Sequence, residues 1–143
     1  MKRTLIAFSA CFISMFVLGG LWNGLIMSDF YVNNSPSIIR PPQEFNLAVI
    51  ALGYLVLTAI MTFITVVNMN ENPRFVGGFL FGATFGLAAT LPLYLILYGR
   101  WDFSFTYAIV DTGWHFIEQG IGGWILTSLY FRLGQEHNAI SKA

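Results

Sequence analysis

Long apolar runs alternate with short polar links along the whole chain. Each run exceeds the roughly 20 helical residues that cross a hydrocarbon core of about 30 Å, and the alternating polarity typical of barrel strands is absent. No link is long enough to separate two domains. The pattern therefore predicts an all-α fold, a single four-helix transmembrane domain over residues 1–143 whose successive helices form an antiparallel bundle. The predicted spans are Leu5–Met27, Phe45–Val67, Phe75–Tyr98 and Phe105–Phe131.

The composition favours a membrane environment over a soluble one. Hydrophobic residues make up 56% of the chain and charged residues 10%, whereas typical soluble domains have about a quarter charged residues. The formal net charge is zero, so the chain lacks the basic stripe that phosphate contacts need, and we expect no nucleic-acid partner. The apolar side chains are instead expected to face the lipid bilayer.

Basic residues predict the orientation of the chain, because Lys and Arg near the ends of spans are retained on the cytoplasmic side. With the N-terminus inside, only Arg40 and Arg100 lie outside. The cytoplasmic basic residues are then Lys2, Arg3, Arg74, Arg132 and Lys142. We therefore predict a multi-pass protein of the bacterial cytoplasmic membrane with both termini inside.

Glycines recur at helical spacing in the third span. Gly78, Gly82 and Gly86 follow one another at intervals of four, so they form one stripe without side chains. A second helix can approach such a stripe closely, which is how helices commonly pack in membranes. We interpret the stripe as packing within one bundle. The alternative is an interface with a second copy of the chain or with a larger membrane complex.

The fourth span carries an unusual row of ionisable residues. Asp111, His115 and Glu118 lie at i, i+4 and i+7, so they share one helix face. Counted from the end of the span near Phe105, they lie at depths of about 9, 15 and 20 Å. Because charged groups inside a bilayer are costly, such residues are candidates for a functional site.

A polar pocket that opens outwards is expected around this row. Trp114 lies near the same face, and the outer end of the first span offers Trp22, Asn23 and Asp29. The third span offers Thr84 and Thr90, and the link over residues 28–44 is long enough to cap the pocket. The candidate ligand-binding residues are Asn23, Asp29, Asp111, Trp114, His115 and Glu118.

Three roles for the polar row remain open. Carboxylates and an imidazole one turn apart can relay protons or bind a small polar ligand, as in a binding, permeation or accessory subunit. Alternatively, Glu118, His115 and Asp111 are catalytic acids and bases of a membrane-embedded enzyme acting on an isoprenoid or sterol-like substrate. The third role is purely structural, because polar contacts between helices fix their register.

Metal binding and cofactor chemistry are not expected. His115 and Glu118 have the i, i+3 spacing of helical carboxylate sites, but such sites use a second pair on another helix, and none is evident. The chain also lacks a nucleophile elbow, a phosphate loop and the HExxH and CxxC motifs, which weighs against an enzyme.

Three short segments carry a resemblance to known sequences. These are Leu21–Gly24 (LWNG), Gly77–Ala83 (GGFLFGA) and Asp111–Trp114 (DTGW). With the four apolar runs, they resemble small bacterial four-helix inner-membrane proteins of unknown function. The resemblance implies the fold and no particular activity.

Overall fold

A computed structural model of the protein describes residues 2–35, 39–40, 44–101 and 104–140, with side chains as far as residue 135. All of its regular elements in these ranges are helical, which confirms the predicted all-α class there. They are α1 (Lys2–Leu21), a π-helical segment (Trp22–Ile26), α2 (Ser28–Asn34), α3 (Leu47–Asn68), α4 (Arg74–Tyr98) and α5 (Phe105–Ile140).

Three helical stretches are long and apolar enough to cross a membrane: Lys2–Ile26, Leu47–Asn68 and Arg74–Tyr98. They coincide with the first three predicted spans to within three residues at each end. α5 is the fourth apolar run, but it also carries the polar row. It continues in helical form beyond Phe131 to Ile140, past the predicted end of the span. Helix formation there does not depend on a continuous apolar run, since Arg, Leu, Gln and Glu all favour helices.

The chain between the first and second spans begins with a helix rather than an irregular loop. The N–H of Met27 donates to the carbonyl of Trp22, five residues earlier, at 2.8 Å, and α2 follows directly. Asp29 lies in the first turn of α2, where an acidic residue interacts favourably with the helix dipole. Residues 36–38 and 41–43 of the proposed cap lie outside the described residues.

Successive long helices run antiparallel, so the helix cluster has two ends. One end, hereafter the Tyr107 end, is where Tyr31, Tyr94 and Tyr107 come together. The start of α1, the α3–α4 link and residues 130–135 of α5 meet at the other, hereafter the Arg3 end. α5 packs most extensively against α4 and then against α1, whereas α3 packs mainly against α1. α4 therefore has its main neighbour in α5 rather than in α3, which precedes it in the sequence.

The glycine stripe of α4 explains this pairing. A Cβ at Gly82 would overlap the carbonyl oxygen of Gln119 on α5 and lie 2.9 Å from the Cα of Gly123. A Cβ at Gly86 would lie 2.7 Å from the carbonyl carbon of His115. Since no real Cβ can be so close to backbone, the two helices pack at a distance that only glycine allows. This confirms that the stripe packs within one chain.

The surface of α3 shows where lipid is expected. Its buried face consists of Thr58, Met61, Thr62 and Thr65, and the remaining faces are aliphatic or aromatic. Leu47, Val49 and Phe63 are each more than 60% exposed. A soluble helix would bury such residues and expose its threonines. This inverted pattern is that of a helix surrounded by lipid.

Candidate functional site

The polar row of α5 faces the interior of the helix cluster. Asp111 is 6% exposed and Glu118 is completely buried. The His115 side chain, between them along the helix, is 24% exposed. The row therefore lies on a single buried face, as its spacing predicts, and only the imidazole reaches the edge of the packed interior.

The imidazole of His115 bridges the two carboxylates. Its Nε2 lies 3.4 Å from Oδ2 of Asp111, and its Nδ1 lies 3.2 Å from Oε2 of Glu118. The two acids are seven positions apart on α5, which is about 10 Å along the helix axis. His115 is thus the group that connects them.

Three tyrosine hydroxyls complete the surroundings of the carboxylates. Tyr31 donates to Oδ1 of Asp111 at 2.8 Å, and Tyr94 donates to Oδ2 at 2.5 Å. Tyr54 donates to Oε1 of Glu118 at 2.8 Å. The donors come from α2, α4 and α3, so three separate elements converge on α5. Hydrogen bonds to a charged acceptor are stronger than neutral ones, and these lower the cost of burying the carboxylates.

Neighbouring groups hold the tyrosine rings in place. The ring of Tyr107 contacts those of Tyr31 and Tyr94 edge to face, at 5.6 and 5.9 Å between centroids. The indole nitrogen of Trp22 donates to the hydroxyl of Tyr31 at 3.0 Å. Tyr31 lies outside the three apolar spans, and burial, then the charge of Asp111, raises the pKa of its hydroxyl, so it stays a donor at neutral pH.

Gly19 provides the space in which Tyr54 meets Glu118. A Cβ at this position of α1 would overlap the Tyr54 hydroxyl and lie 2.6 Å from Oε1 of Glu118. The ring of Phe16, one turn earlier, contacts the ring of Tyr54 edge to face at 5.8 Å. α1 therefore shapes the Glu118 side of the cluster without donating a hydrogen bond in the described structure.

The two contacts of His115 favour particular proton positions. A ring nitrogen and a carboxylate oxygen attract each other when a proton lies between them, so two protons satisfy both contacts. Either the imidazole carries both, or one carboxyl group carries one. In every such arrangement the three groups together have a charge of −1. A proton can therefore change its position without any change in the buried charge.

Three further polar atoms on these turns of α5 are buried without a hydrogen-bond partner in the described structure. They are Oγ1 of Thr112, Nε1 of Trp114 and Oε1 of Gln119. The amide nitrogen of Gln119 lies 3.3 Å from Nδ1 of His115, so its side chain adjoins the bridge to Glu118. Buried polar groups are nearly always hydrogen-bonded, so each of these three atoms has the capacity for one further hydrogen bond.

The other predicted site residues are placed as follows. Trp114 is buried and stacks in parallel on Trp22, with 4.3 Å between ring centroids. The amide of Asn23 donates to the carbonyl of Gly19 in the preceding turn, and Asp29 is exposed on α2. The hydroxyls of Thr84 and Thr90 bond to carbonyls of their own helix. The side chains that do reach the row belong to Tyr31, Tyr54, Tyr94 and Gln119.

The sequence pattern did not identify these four residues as parts of the site, although the positions of two of them in the chain could have indicated it. Tyrosine is most common at the two membrane interfaces, where its hydroxyl reaches water. Tyr54 and Tyr94 instead lie inside apolar spans, where each hydroxyl needs an internal acceptor. A buried carboxylate on another helix is such an acceptor.

The described residues contain no group of three His, Cys, Asp or Glu side chains suited to hold a metal ion. His115 separates the two carboxylates, so the three side chains do not converge on a common point. The arrangement is suited to sharing protons.

Comparison with known proteins places the chain in a family. Neither a curated protein nor a solved structure matches it. The model of a family described as predicted membrane proteins, DUF2177, matches residues 4–127, which include the whole Asp111–Glu118 row. Together with three apolar helices of spanning length, this match indicates a multi-pass integral membrane protein. The chain belongs to the DUF2177 family of membrane proteins of unknown function.

Proposed function

We propose that the protein binds and relays protons through the Asp111–His115–Glu118 cluster, as a small binding or permeation subunit of the membrane. The observation that carries the proposal is the position of His115, whose two ring nitrogens face two different buried carboxylates. A proton shift from Asp111 to one ring nitrogen of His115, together with a shift from the other ring nitrogen to Glu118, requires only small movements within these two contacts. The cluster would then move a proton by about 10 Å along the axis of α5.

In this proposal α5 is the fourth span, over Phe105–Phe131. Its packing between α1 and α4 supports this, because both neighbours belong to the apolar stretches that can cross a membrane. Its ionisable residues face those neighbours and α3 rather than the lipid, which is where charged groups in membrane proteins are found.

The proposed orientation has the Arg3 end in the cytoplasm of a bacterium and the Asp111 cluster nearer the outer surface. Among the described side chains, the Arg3 end has a single acidic residue, Glu71. Its basic residues are Lys2, Arg3, Arg74 and Arg132. This asymmetry supports an arrangement with both termini inside.

Proton flux into liposomes tests the proposal. The purified protein is reconstituted with a pH-sensitive dye inside, and a potassium gradient with valinomycin imposes the membrane potential. We expect wild type to acidify the interior faster than protein-free vesicles. His115→Gln and Glu118→Gln should lower the rate by about tenfold or more, because each removes a proton-carrying group from the relay.

Asp29→Asn is the matched control, since it removes an exposed carboxylate at the same end of the protein. It should retain the wild-type rate, and circular dichroism should show equal helix content in all variants. A wild-type flux no greater than that of empty vesicles, or an undiminished flux with Glu118→Gln, would contradict a proton relay.

A structural role is the second candidate, and the convergence of Tyr31, Tyr54 and Tyr94 from three elements supports it. In this role the carboxylates serve to fix α2, α3 and α4 against α5. Thermal unfolding in mild detergent separates the two. For a relay, Glu118→Gln lowers the flux as stated above and unfolds near the wild-type temperature, because the amide still accepts from Tyr54. For a scaffold, the same change lowers the unfolding temperature and wild type has no flux.

A further inference from the structure

A second polar site lies at the Arg3 end, far from the Asp111 cluster. It is a cavity of about 650 Å³ between the first turn of α1, the α3–α4 link and residues 130–135 of α5. Among the described residues, the charged and amide side chains that line it are Arg3, Asn70, Glu71, Asn72, Arg74 and Gln135. Their formal charge is +1, so the cavity favours an anion.

Arg3 is held in one position on the cavity wall. Its Nη2 donates to the hydroxyl of Tyr130 at 3.1 Å, and its guanidinium carbon lies 4.5 Å from the centre of the Tyr130 ring. On the other side of the Arg3 guanidinium, Gly134 has no side chain and so leaves room for it. A Cβ at Gly134 would overlap Nη1 of Arg3. A guanidinium fixed in this way loses little further freedom when it binds a ligand.

Arg74 contributes the second cation from an unusual backbone conformation. Its φ of 59° is in the left-handed region, which is unfavourable for a residue with a side chain. Its N–H donates to Oδ1 of Asn72 at 3.1 Å, which supports this turn at the start of α4. Strained residues often occur where a ligand is bound, and this one brings a guanidinium to the cavity.

The remaining wall suits the apolar part of a lipid. Val66, Met69 and Phe131 line the same cavity, next to the exposed aliphatic faces of α3 and α4. The cavity thus combines two guanidinium groups and amide donors with an apolar side, at the end of helices long enough to span a membrane. Basic pockets of this kind, between helix ends on the cytoplasmic side, are suited to phosphate headgroups. We propose that the cavity binds the phosphate headgroup of an anionic glycerophospholipid.

Native mass spectrometry of the full-length protein in neutral detergent tests this assignment. The affinity for phosphatidylglycerol is compared with that for phosphatidylcholine and for inorganic phosphate. We expect phosphatidylglycerol to bind most tightly. Arg74→Gln should weaken this binding by about fivefold or more, the effect of one basic residue near an anionic headgroup. Glu71→Gln should strengthen it, because the change removes a negative charge from the wall.

Gly134→Ala is a second variant that keeps every charge. The new methyl group displaces only the flexible end of Arg3, so the fold is retained while the cation moves, and lipid affinity should fall. Arg100→Gln is the control, because it removes a basic residue from the opposite end. Equal binding of phosphatidylcholine, equal loss with Arg100→Gln, or tight binding of inorganic phosphate alone would overturn the proposal. Lipid binding at the Arg3 end rests on the proposed orientation of that end towards the cytoplasm, but not on the proton relay, since Arg74 and Glu71 are remote from the Asp111 cluster.

Discussion

At the scale of single residues, the surroundings of Glu118 show how the protein keeps an acid inside its apolar core. The side chain is completely buried, yet Tyr54 donates to one carboxylate oxygen and the His115 ring meets the other. A buried carboxylate without such partners would be strongly destabilising. The hydroxyl of Tyr54 is therefore expected to contribute measurably to stability.

Tyr54→Phe removes this hydroxyl while leaving the ring in place. We expect the variant to be less stable than wild type by about 0.6–2 kcal/mol, the range of polar contacts between membrane helices. Thermal unfolding in mild detergent measures the difference. In the Glu118→Gln background the same change should cost less, because the uncharged amide oxygen is a weaker acceptor. An equal loss in both backgrounds would show that Tyr54 acts through packing alone.

At the scale of elements, α4 and α5 form the closest pair because small residues face each other along both helices. Gly78, Gly82 and Gly86 on α4 meet backbone of α5, and a Cβ at Gly123 would lie 2.7 Å from the backbone nitrogen of Gly82. This pairing places Tyr94 beside Asp111. The geometry of the cluster therefore depends on glycines that take no part in its chemistry.

Gly82→Ala tests that dependence. The added methyl group meets backbone on the facing helix, which cannot move aside as a side chain can. We expect a loss of stability of about 1–3 kcal/mol, as for other overpacked sites, or failure to fold. The unfolding temperature measures it.

Gly113→Ala on α5 is the control for this helix pair, because nothing lies within 4 Å of the position of its added Cβ. It should be neutral or stabilising by about 0.5–1 kcal/mol, since alanine favours the helix more than glycine does. Equal effects of the two changes would show that close packing at Gly82 is unimportant.

The π-helical segment and α2 form the second element that shapes the site. The segment ends α1 with Trp22 stacked on Trp114, and α2 then brings Tyr31 to Asp111. A π-helical turn is uncommon and is frequently found near functional sites. Here it precedes α2, whose Tyr31, beyond the first apolar stretch, covers the Asp111 end of the polar row.

At the scale of the whole molecule, the two ends differ in chemistry. The Tyr107 end holds Tyr31, Tyr94, Tyr107 and the buried Asp111, whereas the Arg3 end holds Arg3 and Arg74 around an open polar cavity. Because basic residues are retained in the cytoplasm, this difference predicts a defined orientation in a membrane. The two proposed sites would then face opposite surfaces.

Reporter fusions test this topology. A reporter inserted in the α3–α4 link and one fused after Ala143 should both be cytoplasmic, and one inserted at Arg100 should be external. These results follow if α4 and α5 both cross the membrane. Link and C-terminal reporters on opposite sides, with the Arg100 reporter on the side of the C-terminus, would show that α5 is not a span. A link and a C-terminus that are both external would reverse the orientation.

The sequence by itself determined the features that depend on local pattern. Apolar runs of sufficient length predicted the three helices that can cross a membrane, and the i, i+4, i+7 spacing placed Asp111, His115 and Glu118 on one face. The glycines at intervals of four residues in the third span predicted a close contact with another helix. These properties follow from the rise and period of one helix, which neighbouring residues alone set.

Only the tertiary structure decided which groups meet. It selected Tyr31, Tyr54 and Tyr94 as partners of the carboxylates rather than Asn23 or Asp29, and it paired α4 with α5. It also brought Arg3 and Arg74 to one cavity. Such contacts join residues far apart in the chain, and they depend on how closely helices approach and how far side chains reach. That geometry is set by packing across helices, which no local pattern records.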